Sequence, residues 1–238
     1  MIASKNWWQV SVRAGRDWLR PVSGLDGGPA TLPPALVPIR SLGPRYRGRI
    51  LAHLLALSPA DRYLRFGYAA TDEQIARYTE TLDFDRDEIF GIYNRKLELI
   101  AVAHLAYGPG KGSAEFGVSV APRARGRGYG ARLFRRAVMH ARNAGVGQLV
   151  VHALSENAAM LKIARRAGAE VHRAGSEAEA YLTLPPADFD SRVGQIVADQ
   201  VGELDYRLKR QAKQFRDVLD GVQEVRQGVR HGRHRSGQ

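Results

Sequence analysis

Apolar and polar positions from residue 36 onward alternate first at strand spacing and then at helix spacing. Residues 36–39 predict a short strand, and residues 47–57 carry apolar side chains at helical intervals. A second helix is predicted to begin after Thr71, whose hydroxyl can cap the first turn and which Gln74 follows three positions later. The pattern predicts a strand and a pair of helices ahead of the main sheet.

Strand-like runs dominate the middle of the chain. Three of them are separated by short turns and predict an antiparallel meander: 88–93, 97–107 and 114–120. Residues 130–143 then carry the apolar stripe of a helix that ends at Gly145. The remaining predicted elements are a strand, a shorter helix and two closing strands: 148–154, 157–167, 170–173 and 180–184. Together these elements predict an α+β fold with a parallel crossover, in which helices flank a mixed, mostly antiparallel sheet.

The chain loses its strand signals after Pro186, and apolar residues there recur at alternating steps of four and three. These positions are Val197, Val201, Leu204, Leu208, Phe215, Val218, Val222, Val225 and Val229, with the single polar residue Gln211 at the same spacing. They predict a long C-terminal helix over 187–238 with a basic tail. Two interpretations fit: a coiled-coil seam through which copies of the chain form a homo-oligomer over 193–229, or one amphipathic helix folded back on its own domain.

The start of the chain and its composition narrow the class of protein. Residues 1–35 are rich in Gly and Pro without a lasting apolar period, which predicts a loose N-terminal extension. No apolar run approaches the ~18 residues of a membrane span, so we expect a cytoplasmic protein without a membrane partner. The chain has no cysteine, which excludes disulfides, thiolate metal sites and cysteine nucleophiles.

The formal net charge is +12, which raises the question of a polyanionic partner. The excess is +6 in residues 1–50, +4 in 51–186 and +2 in 187–238, so it is spread along the chain. Without a clustered basic face, the sequence does not favour nucleic acid as a partner. No metal is expected either, because no His and carboxylate spacing of the H-E-x-x-H kind occurs.

The most informative stretch runs from Val118 to Gly130, where a strand passes through a glycine-rich arm directly into a long helix. A helix N-terminus has unpaired N–H groups and partial positive charge, and glycines let an anion approach them closely. Arg125 and Arg127 add formal charge beside Gly126, Gly128 and Gly130. The arm is therefore predicted to bind phosphate.

Three phosphate-binding motifs compete for this arm. The P-loop pattern fails, because Gly110-Lys111 is followed by Gly112 between two strands. The dinucleotide pattern G-x-G-x-x-[GA] is met formally, but it normally follows the first strand of a parallel domain rather than a meander. The third pattern, R-x-x-G-x-G, is met by Arg125, Gly128 and Gly130.

With this motif, and with a helix that begins at Asn157 and ends at Gly168, the chain resembles the GNAT superfamily of acyl-CoA-dependent N-acyltransferases. The order of elements from 36 to 184 agrees with that family, so 36–186 is taken as a GNAT-like acetyltransferase domain. Residues 57–66 are also similar to the corresponding segment of bacterial protein-lysine acetyltransferases.

The resemblance implies acetyl-CoA as acyl donor and an unidentified primary amine, a protein lysine or a small amine, as acceptor. It implies that the coenzyme A pyrophosphate is held by backbone amides of Arg125, Gly126, Arg127, Gly128, Tyr129 and Gly130. The edge of Val118 to Val120 would pair with the pantetheine arm and polarise the thioester. Asn157 would contact the pantetheine, cap its helix, or do both.

The acceptor amine must lose a proton before it attacks, and Glu115 is the first candidate base. Its strand leads into the arm, where desolvation could raise its pKa; a solvated strand-edge glutamate is the alternative. His104 and His152 are lesser candidates. Ala164 stands where many GNAT enzymes carry the tyrosine that protonates the leaving thiolate. That departure keeps a second hypothesis open, a catalytically weak acyl-CoA sensor or scaffold assembled through the C-terminal helix.

Overall fold

The structure is a computed structural model that describes residues 37–187 and 192–214 of the 238-residue chain. The predicted N-terminal extension (1–35), the seam positions from Phe215 onward and the basic tail lie outside the described residues.

Seven strands form one sheet in the order β1-β2-β3-β4-β5-β7-β6. They are β1 (Arg40–Ser41), β2 (Glu88–Tyr93), β3 (Leu99–Tyr107), β4 (Ser113–Val120), β5 (Gln148–Leu154), β6 (Glu170–Ala174) and β7 (Glu177–Thr183). The helices are α1 (Arg47–Leu55), α2 (Pro59–Phe66), α3 (Asp72–Glu80), α4 (Tyr129–Asn143), α5 (Ala158–Arg166) and α6, over 192–214. Every neighbouring strand pair is antiparallel except β4 and β5. The predicted fold class is confirmed.

The sheet separates two apolar cores, because successive side chains of a strand point to opposite faces. On one face, Phe116 and Phe134 pack edge to face beneath α4. On the other face, α1 and α3 contribute Ile50 and Ile75 to a second core. The two faces of β4 therefore meet different helices, and this arrangement positions the candidate site.

Local sequence signals account for several elements, but two predicted strand bounds are wrong and one helix has no prediction. The Thr71 and Gln74 capping box is present at the start of α3. The first strand is Arg40–Ser41 rather than 36–39, since Pro38 has no N–H to donate to a ladder. Helix α2 was not predicted, although Ser58 caps it and its eight residues are strongly amphipathic. The last strand begins at Glu177 rather than at 180.

Helix α6 folds back on the domain through one face. A Cβ at Gly202 would clash with the carbonyl oxygen of Ile39, so the helix approaches the backbone there as closely as glycine permits. Tyr206 is buried, and Glu203 pairs with Arg40 at 2.7 Å.

The opposite face of α6 carries exposed apolar side chains, which we call the outer stripe: Val193, Ile196, Val197, Leu204 and Leu208. Leu204 and Leu208 are 59% and 65% exposed. The folded-back interpretation of α6 therefore holds for one face, while seam positions remain open on the other. None of the helices in the described ranges is long and apolar enough to cross a membrane.

Candidate functional site

Strands β4 and β5 pair over only three residues and then part. Their parallel register joins Ser113–Glu115 to Gln148–Val150, whereas β5 continues to pair with β7 as far as Leu154. A cavity of about 1200 Å³ opens between the parted strands. Its size and its position at a break in the sheet suit a cofactor-sized ligand.

The glycine-rich arm forms one end of this cavity. Gly126 and Gly128 have φ of 73° and 72°, in the left-handed region that favours glycine, and Gly128 is the N-cap of α4. The first hydrogen bond of the helix runs from the N–H of Arg132 to the carbonyl of Gly128, at 3.1 Å. The N–H groups of Tyr129 and Gly130 precede that bond, so they are available to a ligand. The arm and the start of α4 both line the cavity.

Arg125 positions the arm, but its backbone N–H is not free to bind a ligand as the sequence analysis expected. Its backbone N–H donates to the carbonyl of Pro122 at 3.3 Å, and its Nε donates to the carbonyl of Val120 at 3.2 Å. Its guanidinium also forms an ion pair with Asp61 of α2. Burial alone would raise the pKa of Asp61, but hydrogen bonds from Ser58 and Arg125 hold that pKa below its usual value. Arg125 thus fastens the arm to α2.

Basic side chains line the cavity beside the arm and along α5: Arg127, Arg132, Arg135, Lys162 and Arg166. Guanidinium and ammonium groups around helix N–H donors make a surface that suits phosphate groups. Among the described residues, no three His, Asp or Glu side chains lie close enough to share a metal ion.

The other predicted donor-site residues also line the cavity. Val118 and Val120 do so from β4, half-buried, beyond the last β4–β5 pair. Asn157 caps α5, since its Oδ1 accepts the N–H of Met160 at 3.1 Å. Its Nδ2 donates to the carbonyl of Leu64 at 3.3 Å and so joins α5 to α2. Its capping role is present, and any contact with a ligand would be made in addition to these two.

Ala164 is fully buried and is not part of the cavity wall, whereas its neighbour Ile163 is. Gly130 lies against Ile163, because a Cβ at Gly130 would come within 3.2 Å of its Cδ1. The close contact of α4 with α5 sets which residues of α5 face the cavity.

Three predicted titratable groups take different positions. Glu115 lines the cavity where β4–β5 pairing ends, but it is exposed, so the expected desolvation is absent. His152 is also exposed, with Nδ1 3.3 Å from Oε1 of Glu179. His104 lies under Tyr78, whose hydroxyl is 2.8 Å from Nδ1, and burial lowers the pKa of His104 although Asp87 accepts from Nε2 at 3.1 Å.

A buried histidine that the sequence analysis missed also reaches the cavity through a serine. His53 Nδ1 lies 3.0 Å from the carbonyl of Leu99, which can only accept, so Nδ1 carries the proton. Nε2 then accepts the hydroxyl of Ser119 at 2.9 Å. Burial lowers the pKa of His53, which keeps the ring neutral. Ser119 lines the cavity.

Comparisons with known proteins agree on the fold. Residues 60–169 match the model of the acetyltransferase (GNAT) family. The GNAT domain of PAT from S. lividans superposes with a TM-score of 0.52 at 21% identity, over 61% of this chain and 89% of that one. Spermidine N-acetyltransferase from Vibrio cholerae, solved with CoA and spermine, gives 0.50 at 17% identity, over 62% and 95%.

A putative acetyltransferase from Acinetobacter baylyi gives a TM-score of 0.53 at 18% identity, over 64% of this chain and 95% of that one. No curated protein matches the sequence. At these identities the structural likeness shows the fold and does not by itself assign an activity.

Proposed function

We propose that the chain is an acetyltransferase of the GNAT type, since residues 60–169 match the model of that family, and that it moves an acetyl group from acetyl-CoA to a primary amine by direct attack. One observation carries the proposal. The N-terminus of α4, with its unpaired amides and its left-handed glycine cap, opens into the cavity between the parted strands β4 and β5. A ligand with a phosphate end and a long narrow arm fits such a site.

The donor would occupy the cavity from the arm toward the fork of the two strands. Amides from Gly126 to Gly130 and the surrounding cations would hold the pyrophosphate. The pantetheine would follow the β4 edge from Val120 to Val118, which lies past the last residue pair with β5. A backbone N–H aimed at the thioester oxygen would stabilise the tetrahedral intermediate, and one such donor is worth about 3 kcal/mol.

In the transfer step the amine nitrogen attacks the thioester carbon, forming the C–N bond. The tetrahedral intermediate then collapses, the C–S bond breaks, and coenzyme A leaves as a thiolate. Glu115 takes the amine proton, directly or through water, and neutral His53 behind Ser119 is an alternative acceptor. The thiol of coenzyme A has a pKa of ~8.5, so its thiolate is a good enough leaving group to depart without a general acid, which Ala164 cannot provide.

A calorimetric titration with acetyl-CoA, run in parallel with NADH, tests the donor site. We expect saturable binding of acetyl-CoA and none of NADH. Release of free coenzyme A is then measured with a panel of amines and a lysine-containing peptide. Binding without release for any acceptor would refute the transferase proposal, and absence of binding would refute the donor site.

Two features support a protein lysine or a small amine as the acceptor. The segment similar to protein-lysine acetyltransferases, residues 57–66, includes α2, which lines the cavity through Asp61, Leu64 and Arg65. A structural neighbour of this chain is a spermidine N-acetyltransferase.

A second candidate function is an acyl-CoA-sensing scaffold in which a second copy of the chain covers the outer stripe of α6. The exposure of that stripe and its continuation in the sequence as far as Val229 favour it. In this proposal 36–186 is the ligand-binding domain and 187–238 the assembly segment. Both activities can coexist, since the outer stripe and the cavity share no residue.

A further inference from the structure

Arg65, in the last turn of α2, lies flat on the middle of β4. A Cβ placed on Gly117 would be 2.8 Å from Cζ of Arg65 and 2.9 Å from Nη1, so only glycine leaves room for the guanidinium. Nη2 donates to the hydroxyl of Tyr78 at 2.9 Å, which fixes the group from the other side. Arg65 is half-buried and lines the cavity.

The charge of Arg65 has no acidic partner within residues 37–187 and 192–214, where no carboxylate lies at ion-pair distance from it. Tyr78 provides a neutral oxygen only. The positive charge also adds to burial in lowering the pKa of both His53 and His104. A half-buried guanidinium that is held in place and left unneutralised is a binding group for an anion.

The face of β4 identifies which ligand brings that anion. Phe116 points toward α4 and its core, whereas Ser119 points toward His53 of α1 on the opposite face. Gly117 is two residues from Ser119 and shares its face. Arg65 therefore lies across the strand from α4, whose N-terminus is the phosphate site, and faces the side from which an acceptor would meet the thioester.

We propose that Arg65 binds a carboxylate of the acceptor, which makes the acceptor an amino acid or another small amine that carries a carboxylate near its amino group. The inference rests on the proposed transferase function and names its substrate class. Glu115 is two residues before Gly117, about 7 Å away on the same face of the strand. One end of this surface would hold the carboxylate and the other would take the proton of the amine.

The test compares amines that differ only in the carboxylate: lysine with cadaverine, and phenylalanine with phenethylamine. Release of coenzyme A is measured at saturating acetyl-CoA. For the wild type we expect kcat/KM to be about 10- to 100-fold higher for the member of each pair that has the carboxylate. Arg65→Gln should bring that ratio close to one, and Arg65→Lys should retain part of it.

Arg95→Gln is the matched control, because Arg95 is exposed in the turn between β2 and β3 and lies outside the cavity. It should keep the wild-type ratio. Thermal melting and acetyl-CoA affinity of each variant show whether the fold and the donor site are intact.

Several outcomes would overturn the inference. A wild-type ratio near one, or an unchanged ratio in Arg65→Gln, would do so while the transferase proposal stands. Acetylation of a lysine-containing peptide but of none of the four small amines would have the same meaning. An equal loss for both members of each pair in Arg65→Gln would assign Arg65 to the donor or the transition state instead. If no acceptor, small amine or peptide, gives release of coenzyme A, the proposed function itself is wrong.

Discussion

The cavity between β4 and β5 and the outer stripe of α6 are both open to solvent in the described chain, and they differ in shape and chemistry. The cavity is concave and combines unpaired amides with cations. The outer stripe is convex, and its five side chains are apolar. A concave polar site suits a small anionic ligand, whereas a convex apolar row needs another protein surface to cover it. The two regions therefore point to different partners.

Helix α4 connects these regions. Its N-terminus forms the proposed phosphate site, and its C-terminal half contacts α6. Arg136 forms an ion pair with Asp199, and Asn143 Nδ2 donates to Gln195 at 2.6 Å. The amide of Gln195 also donates to Nδ1 of His140 at 2.9 Å. Substitutions at one end of α4 or the other can therefore test the proposed donor binding and the proposed association through α6 separately.

The largest effect is expected from Gly128→Glu, which alters the cavity and leaves α6 unchanged. The substitution forces a residue with a side chain into a φ of 72° and adds negative charge at the start of α4. We expect acetyl-CoA binding to fall below detection in calorimetry, while α6 stays packed and the oligomeric state is unchanged.

Gly110→Glu is the control for this prediction. Gly110 has a φ of 74°, open space around its Cβ position and a place in the loop between β3 and β4, outside the cavity. It has the same strain and adds the same charge, so both variants should lose similar stability. Wild-type affinity in Gly128→Glu would contradict the pyrophosphate assignment.

Glu115→Gln is expected to act on chemistry without weakening the donor site. Loss of a general base typically costs about 100-fold or more in kcat. We expect the acidic limb of the pH–rate profile to change, because a general base acts only when it is deprotonated, and acetyl-CoA affinity to stay within twofold. An unaltered profile would remove Glu115 as the base, and Ser119→Ala would then test the route to His53.

How much of the site the sequence could predict depends on the range of each contact. The arm and the caps at Asn157 and Thr71 were predictable, because glycine spacing and capping act within a few residues. The contact of Arg65 with Gly117 joins residues 52 positions apart, and His53 reaches Ser119 across 66. Neither leaves a local pattern.

Helix phase was equally hidden from the sequence. The family resemblance places Ala164 where many GNAT enzymes carry a tyrosine, and the sequence alone does not show that this alanine is fully buried. On α6 the heptad was visible, but the close approach at Gly202 that leaves the seam facing outward was not.

The outer stripe is tested by the double variant Leu204→Glu and Leu208→Glu. If a second copy covers these side chains, burial of each leucine is worth about 2 kcal/mol, so loss of the two leucines from each subunit should weaken the dimer by about 1000-fold or more. Sedimentation equilibrium over a range of concentrations measures the change, and acetyl-CoA affinity should not move. Tyr68→Glu, which removes another exposed apolar ring outside α6, should leave association unchanged. If the wild-type chain stays monomeric at all concentrations, the proposal that a second copy covers the outer stripe is wrong.

The smallest effect is expected at the joint between the two regions, in the variant His140→Gln. Burial and the nearby charge of Arg136 lower the pKa of His140 to about 4. The unfolded chain takes up this proton near pH 6.5, so the contribution to stability is complete above that pH and is lost as the pH falls toward 4. The loss amounts to at most about 1.4 kcal/mol per pH unit. Glu88 and Asp199 have raised pKa values and act in the opposite direction in both proteins, so the difference between them isolates His140. Between pH 6.5 and 4.5, the free energy of unfolding measured in urea should therefore fall less steeply with decreasing pH in His140→Gln than in the wild type. The same pH dependence in both proteins would mean that the neutral form of His140 does not stabilise the contact with α6.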